Sequence, residues 1–548
     1  MTVLRPTSPP AHRLFGSLPS RQAPLTLMLP LMLTLMLALA ACSSAPPLRL
    51  YRPDLPPAFA NAPGPVAQSM NAPSAIAPVA TAPVATAPAA TAPLATVPST
   101  SVRSTAAAAP AATVPPTSAP PAAAAAPNTE SQSRFWQGFH DPLLDSLMQR
   151  ALAANTDLRT AVARLNEVRA LARAAQADLL PSLDFAAGAS RVRAKNDQGV
   201  PQTDHVYSVG VDVLWEADLF GRLGDARRAA LAEVRAGEAG IDAARLSVSA
   251  ALARSYFELR GLQEQLRVAR ASMETQSQVL ELVAAREDAG RGTALDTERA
   301  RALLASTASD VPALESALIA TRYRLAVLCA VQPTALDAEL EAVRPLPGLA
   351  PTRLANIGAP AALLRRRPDI RVAEAQAAAA AARVGVARSA LFPALTLGGS
   401  LGQNALSLGE LGRGVSYAYN LGAQLTWNLL DFGRIRARIA AFDARNEAAM
   451  ITYEYTVLAA LAETEGALAD YTRRQRQAAL LFEATRASTQ AALIARERFR
   501  VGSTDFLTAL DAERELLGAR NRLAQAQTSA AVSLVAVYKA LAGGWEPP

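Results

Sequence analysis

The sequence predicts an α+β membrane protein made by tandem duplication, in which long helical rods carry a small number of strands. Three observations predict it. The first is a repeat: W-E-A-D-L-F-G-R at 215–222 recurs as W-N-L-L-D-F-G-R at 427–434, an offset of 212. The same offset takes Asp157 to Asp369, Arg159 to Arg371, Pro181 to Pro393, Gly221 to Gly433, Gly290 to Gly502 and Leu295 to Leu507. The second is an uninterrupted run at 222–287 without proline, rich in Ala, Arg, Glu and Leu, and roughly 100 Å long as one helix. The third is strict alternation from Tyr417, with Tyr417, Tyr419, Leu421, Ala423, Leu425, Trp427 and Leu429 on one face and small or polar residues on the other. A repeat of this kind implies a cross-section built from equal sectors.

The first element is a leader. Residues 1–41 carry Arg5, Arg13 and Arg21 and no acid, then an apolar run at 25–41 that ends in small residues, the pattern of a secretory signal. The run is shorter than the roughly 20 residues a spanning helix needs, and Pro30 interrupts it. Leu39-Ala40-Ala41-Cys42 has the form of a lipobox, which makes Cys42 the expected lipid-attachment residue and the first residue of the mature chain. Acyl methylenes anchor at about 0.8 kcal/mol each. Ser43 and Ser44 stand where an inner-membrane retention aspartate would be, which favours the outer membrane. The second cysteine, Cys329, lies in an apolar helical run and is expected to pack; a lipidated chain has no disulfide partner for it. Removing the three leader arginines takes the net charge from +7 to +4, and the basic residues are interspersed with acids, so no nucleic-acid partner is expected.

Residues 42–133 are rich in Ala, Pro, Thr and Val, with T-A-P-V-A repeated from Thr81; such a composition buries no core and reads as a tether from the lipidated end to the body. The body is expected over 134–548. Its first repeat spans about 140–331, with a helical segment ending near Asp178, strands at 183–191 and 206–215, the rod, a turn at Gly290 and Gly292, and a returning helix. A proline-broken connector at about 332–360 precedes the second repeat at about 361–542. There Pro368 suits a helix's first turn and Asp369 complements its positive end. Strands at 394–401 and 417–429, a rod at 434–500, a turn at Gly502 and a returning helix complete it.

The strands decide the environment. Tyr207, Val209, Val211, Val213 and Trp215 in the first copy face one way, as do the apolar residues from Tyr417 in the second, with aromatics near the ends. Outer-membrane strands alternate in this manner, with rings at the interfaces. Four strands cannot close a barrel, and open edges in hydrocarbon cost several kcal/mol per unpaired group, so several copies of the chain must close it together. Three copies would supply enough strands for a water-filled lumen. Abundant alanine on the rods, as at 226–232 and 377–382, suits close helix packing into a tube.

F-W-Q-G-F-H-D-P-L-L at 135–144, L-L-R-R-R-P-D-I-R-V-A-E-A at 363–375 and the two W…F-G-R motifs resemble the TolC-like outer-membrane efflux family, in its lipidated branch of the OprM and NodT type. The resemblance implies a homotrimer with a twelve-stranded barrel in outer-membrane lipid and a helical barrel across the periplasm. It also implies a periplasmic adaptor (membrane fusion) protein and an inner-membrane RND-type pump as partners. By the same resemblance Asp511, Asp296, Phe499, Arg500 and Thr504 stand at periplasmic gate positions, with Thr504 where some members carry arginine. The turns Gly290, Arg291, Gly292 and Val501, Gly502, Ser503 stand at adaptor-contact positions. Glycine at each turn supplies the backbone freedom a reversal needs.

An enzyme is disfavoured. The chain has three histidines, none in a Ser/His/Asp, Cys/His or metal-ligand cluster, and no phosphate-binding glycine loop precedes a helix; no cofactor or metal is expected. The alternatives are a lipid-anchored coiled-coil scaffold or, within the family, protein secretion or metal efflux.

Overall fold

The computed structural model describes Leu50, Tyr51, Pro53, 59–61, 135–195, Gly199, 201–346, 365–413 and 417–543. The leader, Cys42 and the T-A-P-V-A repeats lie outside the described residues.

A 3₁₀ turn at Phe135–Phe139 leads into α1 (Pro142–Ala154) and α2 (Thr156–Ala177). One continuous helical segment was the expectation here. Asn155 divides it: its backbone is extended, with ψ 136°, and its side chain accepts from the Asp157 and Leu158 amides as an N-cap. Strands β1 (Ser182–Lys195) and β2 (Pro201–Ala217) follow, then the first rod α3 (Arg222–Asp288) and the returning α4 (Ala294–Leu328). The connector holds a 3₁₀ turn at Pro333–Leu336 and α5 (Asp337–Glu341). The second copy comprises α6 (Pro368–Ser389), β3 (Ala394–Ala405), β4 (Tyr417–Thr426), the second rod α7 (Phe432–Arg500) and the returning α8 (Phe506–Ala540).

The duplication holds down to single hydrogen bonds. Asn155 Nδ2 donates to the Leu328 carbonyl at 2.9 Å, and Arg367 Nη1, at the equivalent position, donates to the equivalent Ala540 carbonyl at 2.9 Å. The Trp215 indole donates to Leu179 O and the Trp427 indole to Leu391 O, each at 3.0 Å. Both returning helices end on an alanine with positive φ, Ala330 at 54° and Ala542 at 55°.

The four strands form one antiparallel sheet in the order β1-β2-β3-β4 with both edges open. Register places Asp184, Asp212, Ser400 and Asn420 in one row across it. The adjacent row, on the opposite face, is Leu183, Val213, Gly399 and Leu421. Tyr419 and Leu421 on the apolar face are each 86% exposed in the single chain. No helix among the described residues is long and apolar enough to cross a membrane.

The rods pack side by side: α3 lies against α2, α4, α6 and α8, and α7 against α6 and α8. The main core is at the waist, where Phe135, Leu144, Leu147, Met148, Phe257 and Leu325 are buried together. Cys329 is buried there, as expected, with its Sγ 3.7 Å from Leu147 O. A polar strut crosses the same region. Asp141 caps α1 and accepts from the Tyr256 hydroxyl, and the fully buried Arg260 donates to Tyr256, to Gln263 at 2.7 Å and to the Ala342 carbonyl at 2.7 Å.

The folded body extends further toward the N-terminus than the expected start at 134. Leu50 and Tyr51 pack on Ile370, Tyr453 and Val457, and Phe59 joins the waist cluster that also holds Phe135. Glu465 accepts from the Ala60 amide at 2.7 Å, the Asn61 amide at 3.0 Å and Asn61 Nδ2 at 2.8 Å. Three donors on one carboxylate hold it ionised, and its pKa lies below the ordinary value although burial opposes this.

Candidate functional site: the hairpin tips

At the end of the rods remote from the sheet, α3 turns into α4 and α7 turns into α8. Gly290, with φ 66°, and Gly502, with φ 78°, take the left-handed backbone that ends each rod. The Gly290 amide then reaches Glu287 O at 2.9 Å, and the Gly502 amide reaches Phe499 O at 3.0 Å. Each returning helix starts on a side-chain cap. Thr293 accepts from the Asp296 amide and donates its hydroxyl to Asp296 Oδ2 at 2.8 Å; Asp505 accepts from the Thr508 amide at 3.1 Å. The pKa of Asp505 is held down by the Thr508 hydroxyl and amide.

The expected gate residues divide into three kinds. Phe499 is buried, packed with Phe506, Val283, Ala300, Ala509 and Leu510, so in this conformation it stabilises the tip from inside. Arg500 is exposed and pairs with Glu497 at 2.7 Å on its own helix, which raises the arginine pKa and lowers that of Glu497. Asp511 is exposed, with Arg514 at 3.9 Å, and Asp296 belongs to the α4 cap. Thr504 lies in the tip immediately before the cap residue Asp505. The turn residues Gly290, Arg291, Val501, Gly502 and Ser503 are exposed, Gly292 is half-buried, and all lie together at the extremity.

One residue here was absent from the sequence reading. The Arg286 guanidinium, on α3, lies 4.1 Å from the centre of the Phe499 ring on α7. It also donates to the Phe499 carbonyl at 2.7 Å and the Arg500 carbonyl at 3.0 Å. Those carbonyls end a 69-residue helix, where partial negative charge favours a cation. Arg286 therefore joins the two hairpins of the chain, whereas Arg496–Glu513 and Thr297–Glu287 each lie within one hairpin. Its signal was hidden because its acceptors are main-chain oxygens 213 and 214 residues away.

The sheet, the rods and the tips thus form one elongated body with an apolar sheet face at one end and the two hairpin turns at the other. The family model described as outer membrane efflux protein matches residues 147–330 and 359–543, a segment in each repeat. The chain belongs to this family. Among curated relatives, it is 36% identical over 423 residues to the pyoverdine export outer membrane protein OpmQ of Pseudomonas aeruginosa, covering 75% of this chain and 88% of that one. It is 29% identical to the nodulation protein T of Rhizobium leguminosarum bv. viciae, covering 76% and 85% respectively. Among solved structures, the outer-membrane channel OprN superposes with a TM-score of 0.72 at 38% identity, covering 79% of this chain and 99% of that one. VceC of Vibrio cholerae superposes with a TM-score of 0.70 at 26% identity, covering 76% and 99%. As an outer membrane efflux protein of TolC-like fold, the chain works in the outer membrane and reaches into the periplasm. The expected family, fold class, channel function and location are borne out together.

Proposed function

We propose that the chain is one third of a trimeric duct, anchored through acylated Cys42, which takes small molecules from a periplasmic adaptor and an RND-type inner-membrane pump and releases them outside. The observation that supports this most directly is the open-edged sheet with one apolar face, joined to rods of 67 and 69 residues. Such a sheet satisfies its edges in lipid only when copies join it. The chain acts as a passive conduit rather than an enzyme. Its relatives include proteins named for pyoverdine export and, in Pseudomonas putida, toluene efflux, and small organic cargo is the class we assign here.

The gate lies at the hairpin tips, and the exposed turns around Gly290 and Gly502 meet the adaptor. Asp511, exposed on α8, forms a symmetry-related carboxylate ring that favours cations in the narrow end of the pore. Planar-bilayer recordings of Asp511→Ala are expected to lose part of the cation selectivity; unchanged selectivity removes the ring from the mechanism. At the level of the cell, a deletion strain is expected to become more susceptible to antibiotics, dyes or solvents. A profile identical to the parent's contradicts drug export.

A further inference from the structure

The repeat allows the contacts inside one chain to foretell contacts between chains, on the reading that the channel is a closed ring of these subunits. Within the chain, hairpin one meets hairpin two through α3 against α8. Shifting each helix by 212 positions converts this pair into α7 against α4 of the next subunit, so a ring of equal sectors repeats the same interface at every boundary. The exposed apolar side chains agree. Among the described residues, α4 exposes Ile319, Tyr323 and Val327, and α7 exposes Tyr455, Leu480 and Ile494. The inward partner α8 exposes one large apolar side chain, Leu507. Both helices that the repeat brings together thus carry exposed apolar side chains, as α2 also does at Val162 and Leu171.

At the tip, Arg286 has a counterpart. The same offset takes it to Arg498, and takes its acceptors, the carbonyls of Phe499 and Arg500, back to those of Glu287 and Asp288. The acceptor geometry is already present: Glu287 O receives the Gly290 amide as Phe499 O receives the Gly502 amide. Arg498 is exposed in the last turn of α7, and no side-chain hydrogen bond or ion pair engages it among the described residues. The target changes in two respects, since Glu287 stands for Phe499 and Asp288 for Arg500. The stack on a ring is lost; the Asp288 carboxylate complements the arginine instead, while that of Glu287 accepts from the Thr297 hydroxyl.

We propose that Arg498 clasps the end of α3 in the neighbouring subunit, on the carbonyls of Glu287 and Asp288 of the partner subunit, as Arg286 clasps α7 within the chain. The closed tips are then held by clasps of two alternating kinds around the ring. The kind inside the subunit is arginine on a ring and on two carbonyls. The kind between subunits is arginine-to-carboxylate and carbonyl, and is the one that salt weakens.

The test uses the full-length protein purified in detergent, in a Cys329→Ala background. Arg498→Cys and Asp288→Cys are combined and treated with a short bis-maleimide, which adds one thiol across each of its double bonds, with each single cysteine as control. Bands at the mass of two and three chains are expected only for the pair. Conductance in planar bilayers is measured on Arg498→Ala and Arg498→Lys, with trimer melting temperature as a readout that a merely destabilised variant would change. Arg498→Ala is expected to raise the open fraction by about tenfold, on the scale of losing hydrogen bonds to a charged group. Arg498→Lys recovers part of it, keeping the charge without the paired donors. A protein that is not trimeric overturns the ring itself. Intact trimers that fail to crosslink, or whose conductance is unmoved by Arg498→Ala, overturn the clasp and leave the ring standing.

Discussion

Arg367 shows how one side chain can fasten three elements. It is almost fully buried and donates to Ala540 O on α8, to Asp369 at 2.7 Å on α6 and to Glu463 at 2.6 Å on α7. Burial pushes the pKa of Glu463 upward, but hydrogen bonds from Arg367 and Lys539 outweigh it, and the net shift is below the ordinary 4.5. A carboxylate with a depressed folded pKa stabilises the protein above its unfolded value and loses that contribution as pH falls through the folded one. The wild-type melting temperature is therefore expected to fall on acidification below pH 4.5 more steeply than that of Glu463→Gln. Parallel acid limbs for the two proteins would remove Glu463 from the account. Pro368 and Asp369 were legible as a helix start because capping is local. The strut Asp141–Tyr256–Arg260 was not legible, because its members are 115 residues apart and only the rod's packing unites them. Arg286 was missed for the same reason, and Phe499, placed at the gate by resemblance, is buried within the tip.

Elements were more readable than contacts. The rods, both turns and the returning helices fall within a few residues of expectation, since proline-free helical runs and glycine reversals are local signals. Strands β1, β2 and β3 were drawn too short, β1 and β3 running on to Lys195 and Ala405, and β4 too long, since it ends at Thr426 rather than Leu429. Closeness of approach was not readable at all. At Gly261 on α3, an added Cβ would lie 2.1 Å from Thr528 Oγ1 and 2.8 Å from Thr528 Cβ on α8. Gly261→Ala gains about 1 kcal/mol of helix propensity yet is expected to destabilise the protein, because overpacking typically costs about 1–3 kcal/mol. Thr528→Ala in the same chain should recover part of the loss in a thermal melt. A stabilised Gly261→Ala single variant would contradict the close α3–α8 packing. Arg473 stands at the equivalent place on α7, so the glycine that permits this close approach is not repeated in the second copy.

The whole molecule joins a sheet that needs partners to rods that also expose apolar faces. At this scale the docked residues Leu50, Tyr51 and Phe59–Asn61 revise the expected tether. Phe59 and Phe135 belong to one cluster, so the described residues on either side of 62–134 meet at the waist. Removing residues 62–133 is therefore expected to leave melting temperature and membrane attachment unchanged. Loss of attachment in that variant would restore the tether reading.

Copies of the chain close one barrel on this reading, and the repeat specifies the seam. Val211 of β2 faces Leu401 of β3 within the chain. The same shift sets Ala423 of β4 opposite Ala189 of β1 in the next subunit, within the Cα separation of about 4.5–5.5 Å that a disulfide spans. The deciding measurement is a non-reducing gel of Ala423→Cys/Ala189→Cys protein, in a Cys329→Ala background, oxidised in the outer membrane. We expect covalent species of up to three chains that collapse to one on reduction. Material that remains monomeric under oxidation, with both thiols free, contradicts the shared barrel.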